Sequence, residues 1–159
     1  MNALSRFTLP ERIVGISGIL LLIGLIAFPW YHVGISGFSI DGQSFAGVSV
    51  NYSALQATGA WAGVLALIVL IVLLAELVIT RFSDVQLPQL PISWRAAEMY
   101  AAIVVLVFLV IKFISHIGNF GWGFYVDMLL AIVLVYGATG LRHSRTVRPM
   151  ATSAPQHGN

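Results

Sequence analysis

Four long apolar runs divide the chain: Ile13 to about Trp30, Ala57 to Ile79, Ala96 to Ile117, and Phe120 to Leu141. A helix crosses the hydrocarbon of a bilayer with roughly 20 residues at about 1.5 Å rise per residue. The last three runs meet that length. The first meets it only if Pro29, Trp30 and Tyr31 lie in the outer interface, where aromatic rings concentrate. The pattern predicts an all-α membrane protein: a four-helix transmembrane bundle over residues 1–148, with helices at about 13–30, 57–79, 96–117 and 120–141. Arg6 and Arg12 ahead of an apolar run also suit a secretion signal. That run ends in Phe28-Pro29-Trp30, however, not in a small-x-small cleavage site. Thr8 followed by Pro10 and Glu11 reads as a capping box with proline in the first turn, so the first helix is expected to be retained and to begin before the lipid.

The segments between the runs are unequal. His32 to Gln56 is rich in Gly and Ser, and Asp41-Gly42 is a two-residue hairpin signal. That turn sets Phe38 opposite Phe45 and Ile35 opposite Val48, a short β-hairpin on the outer ends of the helices; an irregular loop is the alternative, because two strands alone are marginal. Leu87-Pro88-Gln89-Leu90-Pro91 reads first as a stiff connector and second as a docking motif. Ser93 is placed to cap the third helix, and Trp94 to anchor it at the inner interface. Residues 149–159 are small and polar, and are expected to form a disordered cytoplasmic tail.

Charge gives the runs a direction. The chain is 58% apolar and 9% charged, with a net charge of only +2. Arg6, Arg12, Arg81, Arg95, Arg142, Arg145 and Arg148 all fall on one side of a four-span arrangement, and Lys112 alone lies toward the other. The positive-inside rule then puts both termini in the cytoplasm of a multi-pass protein of the cell membrane. No basic stripe alternates with aromatics, which argues against nucleic acid as a partner. With no cysteine, disulfides, thiol relays, thiolate metal sites and cysteine nucleophiles are excluded together.

Ionisable residues inside a membrane are costly and are the natural functional candidates. Lys112 and Asp127 fall at similar depth on the outer halves of the third and fourth helices, and a buried ion pair between them is expected. Bracing of that hairpin is favoured over a proton or ion site. Glu76, Arg81, Arg95 and Glu98 lie near the inner interface and are expected to form a charge network between the second and third helices. Gly59 and Gly63 form a GxxxG spacing that suits packing within the bundle first and a homodimer second. His32 and His116 both fall at the outer edge without a carboxylate at ligand spacing, so neither haem nor metal is expected. No base and nucleophile can be paired, and neither a catalytic residue nor a cofactor is assigned.

A resemblance adds a setting. Ile26-Ala27-Phe28-Pro29-Trp30-Tyr31 closing the first helix, Ser53-Ala54-Leu55-Gln56 entering the second, a Pro-containing inner loop and Gly121-Trp122-Gly123-Phe124 entering the fourth are similar to a family of small four-helix membrane proteins of high-GC Gram-positive bacteria. That resemblance implies a bacterial plasma membrane and no mechanism. The expected function is that of a non-enzymatic accessory or scaffolding subunit of an envelope complex, whose partners are the lipid bilayer and another membrane protein or a second copy. The alternative is a small transporter or proton-linked permease using a buried carboxylate.

Overall fold

The computed structural model describes residues 8–41, 43–56, 58–82, 93–115, 118 and 120–143. Four helices form: α1 (Leu9–Ala27), α2 (Ala60–Phe82), α3 (Trp94–Ser115) and α4 (Trp122–His143). All four are long and apolar enough to cross a membrane. Their ends differ from the expected ones by two to four residues, for local reasons. The Thr8 N–H donates to Glu11 Oε2 at 2.8 Å, so the capping box starts α1 at Leu9. Phe28, ahead of Pro29, takes an extended ψ of 143° and ends the helix. Ser93 Oγ accepts the Ala96 N–H at 3.3 Å and starts α3.

Between α1 and α2 the chain makes an antiparallel ribbon. β1 (Tyr31–Ile35) pairs with β4 (Val48–Tyr52), and β2 (Phe38–Ile40) pairs with β3 (Gln43–Phe45). Phe38 is opposite Phe45 and Ile35 opposite Val48, the register the Asp41-Gly42 turn predicts. Asp41 has φ of 49°, the left-handed conformation that a two-residue hairpin turn requires and that Asp tolerates.

The helices pack in a ring, α1 against α2 and α4, and α3 against α2 and α4. The core stripes repeat at three and four residues: Ala66, Leu70, Leu73 and Leu77 on α2, Ala102, Val105 and Leu109 on α3, Ala131, Leu134 and Ala138 on α4. Larger apolar residues point outward, among them Ile16, Ile71, Val72 and Leu129. Small residues inside let the helices approach closely. The expected connector at 87–91 and the tail at 149–159 lie outside the described residues.

Candidate functional site

Three stretches distant in sequence meet where the ribbon joins the bundle. Pro29 supplies no N–H and breaks helical continuation, which turns Trp30 and Tyr31 back over the helix ends. The Trp30 N–H donates to Tyr52 O at 2.8 Å, and the Gly121 N–H donates to Trp30 O at 2.8 Å. Tyr31 also bridges to Phe120. The backbone approaches so closely here that a Cβ on Gly121 would overlap the Pro29 carbonyl oxygen. Around this crossing Phe113 stacks on Phe124 at 5.1 Å between ring centres, and Phe124 meets Trp30 edge-on at 5.4 Å.

The two charges expected to pair sit inside this knot, both fully buried. They occupy the inward stripes of their helices: Lys112 follows Val105 and Leu109, and Asp127 precedes Ala131 and Leu134. The expected Lys112–Asp127 ion pair is not formed. Asp127 Oδ2 instead accepts the Trp30 indole N–H at 2.6 Å. Its Oδ1 lies against the α1 backbone, where a Cβ on Gly24 would overlap it, and has no hydrogen-bond donor among the described residues. Lys112 Nζ donates to the carbonyls of Gln56 at 3.0 Å and Thr58 at 3.4 Å. It also stands 5.3 Å from the Tyr31 ring centre and 6.0 Å from that of Trp30, within reach of a cation–π attraction. The physical reason for the difference is the intervening aromatic. Matching depth along two helices brings the charges to one level, but the chain leaving α1 inserts Trp30 there, and its indole satisfies the acid. The open carbonyls of the β4–α2 turn satisfy the base.

The remaining polar groups of the knot are tied in the same way. The Tyr31 hydroxyl reaches Lys112 O at 3.5 Å, and burial pushes the Tyr31 phenol pKa up. His32 Nδ1 is 2.8 Å from Asn51 Oδ1 on the neighbouring strand. His116 lies outside the described residues. Chemically the arrangement is a clasp. One amine and one carboxyl, each held by groups from a different segment, fasten the ribbon to three of the four helices.

At the opposite end, Glu76 and Glu98 approach each other within hydrogen-bonding reach. They line a cleft of about 200 Å³ between α2 and α3, with Val69, Val72, Ala97 and Ala101 as its apolar walls. Two carboxyls make such a contact favourably only with a proton or a cation between them. Of the expected four-residue network, the two acidic members face each other here. The Arg81 side chain lies outside the described part of the structure, and Arg95 is the second residue of α3, on the same turn as Glu98. Gly59 and Gly63 both lie against α3 within the bundle. Gly59 precedes α2 with φ of 74°, a turn conformation that favours glycine, and an added Cβ there would stand 3.3 Å from Ser115 Cβ. A Cβ on Gly63 would overlap the Ala54 carbonyl oxygen and stand 3.5 Å from Lys112 Cδ.

The residues missed by sequence reasoning are Trp30, Tyr31 and the carbonyls of Gln56 and Thr58. A Trp-Tyr pair after an apolar run signals an interfacial anchor, and nothing in the sequence redirects it inward. Compared with known proteins, the chain matches no family model, no curated protein and no solved structure.

Proposed function

We propose that this chain is a multi-pass protein of a bacterial plasma membrane, with both termini cytoplasmic, that acts as a non-enzymatic accessory or scaffolding subunit of an envelope complex. The bundle is its anchor, and the ribbon, held outside the lipid, is the part offered to a membrane-protein partner. The outward Ile, Val and Leu of all four helices support the first half, because an apolar girdle of this extent is stable in hydrocarbon and sticky in water.

The observation that carries the second half is the face of the ribbon. Val33 and Val50 oppose each other, as do Ile35 and Val48. The period of two puts all four on the same side as Tyr31 and Tyr52. Yet Tyr31 is buried, while Val33, Val50, Ile35 and Val48 are 49%, 44%, 68% and 62% exposed. A paired apolar face continuing beyond the clasp, with unpaired strand edges, is a surface that soluble proteins normally cover or charge. A photo-crosslinking residue at Ile35, activated in native membranes, should capture a membrane protein. The same residue at Tyr125, exposed on α4, should capture lipid. Lipid adducts alone at both positions would sink this reading.

A small proton-linked permease is the second reading. Its support is the Glu76–Glu98 contact at an apolar cleft, the one place where two carboxyls and an open space coincide among the described residues.

A further inference from the structure

We propose that the polar pocket beside the last turn of α1 binds the uncharged, hydroxyl-bearing headgroup of a lipid in the leaflet on the ribbon side, with an acyl chain of that lipid along α1. This inference rests on the membrane reading above. The pocket has a volume of about 280 Å³. On one side it is lined by the end of α1, through Ile26 and Ala27, and on the other by the end of β4 and the turn that follows, through Asn51, Ser53 and Gln56. Its wall is mainly polar, whereas the clefts along α1–α4 and α2–α3 are walled mainly by carbon. None of its lining residues carries a formal charge, so neither a phosphate nor an ammonium meets a counter-charge there.

The lining residues offer donors and acceptors together. Gln56 Oε1 accepts the Ser53 N–H at 3.2 Å, and Asn51 Oδ1 is 2.8 Å from His32 Nδ1. The amide NH2 groups of both side chains are left without an acceptor among the described residues. The Ser53 hydroxyl oxygen accepts the Leu55 N–H at 3.4 Å, and its own proton is still to be given. The acceptor comes from α1. The Trp30 N–H, which would close the next helical turn onto Ile26 O, goes instead to Tyr52 O at 2.8 Å. Ile26 O thus lacks its helical donor at the negative end of the helix dipole. A hydroxyl both donates and accepts, so a sugar or glycerol group answers both sets at once. Beyond the pocket, Ile26 continues an exposed stripe with Ile23, Ile19 and Ile16 on one face of α1. From Ile26 to Ile16 the helix runs ~15 Å, about one leaflet of hydrocarbon. The polar wall selects the headgroup, and the stripe that starts at its rim selects one that carries an acyl chain.

The full chain, purified in a polyoxyethylene detergent that carries no sugar, is titrated with glucosyl diacylglycerol, with diacylglycerol of the same chains, or with phosphatidylcholine. Bound lipid is counted by native mass spectrometry. One glucosyl diacylglycerol should be retained roughly tenfold better than either of the others. The preference should disappear in the double variant Asn51→Val, Gln56→Leu. It should also disappear in Ala27→Trp, which fills the pocket and keeps every polar group. Ser49→Val, on the same strand but outside the pocket, should keep it. All four positions are exposed, so the helical circular dichroism should not change. Equal retention of the three lipids by the unaltered chain would overturn the site, as would a preference that survives both the double variant and Ala27→Trp. Displacement of the lipid by an equal concentration of methyl glucoside would assign the pocket to a free sugar and overturn the lipid as its occupant. Recovery of the chain in the aqueous fraction without detergent would overturn the membrane reading and the site together. A membrane-inserted chain without headgroup preference would overturn the site alone.

Discussion

Trp30, Lys112 and Asp127 show how two buried ionisable groups are kept without pairing. Removing one partner of a buried ion pair costs about 3–5 kcal/mol, because the other charge is stranded. Here each charge has its own partners, so a different response is expected. Lys112→Met leaves the Gln56 and Thr58 carbonyls without their donor and should destabilise by about 1–3 kcal/mol. Asp127→Asn keeps an acceptor for the Trp30 indole and should cost less. In a double-mutant cycle followed by reversible unfolding in mixed micelles, the coupling energy of these two changes should stay below about 1 kcal/mol, carried only through the shared Trp30 ring. A coupling of several kcal/mol would mean that the two charges meet directly.

Between elements, the contact that decides the geometry is α1 on α4. Gly24 is where the two helices touch most tightly, with the Asp127 carboxyl against its Cα. Alanine is the better helix former by about 0.8–1 kcal/mol, so an open position should gain from the change. Gly15 tests that: an added Cβ would stand 3.6 Å from Leu77 Cδ2, an ordinary contact. Gly15→Ala should therefore be neutral or stabilising, while Gly24→Ala should displace Asp127 and cost about 1–3 kcal/mol from overpacking. Thermal unfolding of the two variants side by side checks the sign. A stabilised Gly24→Ala would show that the carboxyl has room to move. The ribbon follows the same logic in reverse. Its register follows from the local turn, and its position follows from the clasp, because β1 begins at Tyr31, directly after Trp30.

At the scale of the whole molecule, the arrangement of arginines and the ribbon make one joint prediction. The chain has no cysteine, so single engineered thiols report without background. A thiol replacing Asp41 at the ribbon turn should react with a membrane-impermeant maleimide added to intact cells. A thiol replacing Gln89, in the connection between α2 and α3, should react only after lysis. The opposite pattern would reverse the orientation.

Much of the fold was legible along the chain because its causes are local. A run of apolar residues, a capping box at Thr8, a proline at position 29 and an Asp-Gly turn each act within a few residues, and the helices and the hairpin register follow from them. The inward placement of Lys112 and Asp127 was legible too, since each continues a three-and-four spacing of core positions. What they bind was not. Partners at a helix end are chosen by whichever backbone and side chains are folded over it, and here those come from positions 30, 56 and 58, up to 97 residues away. Sequence by itself determined which groups are too costly to leave unpaired in a low-dielectric interior; only the tertiary structure decided which donor or acceptor reached each of them first.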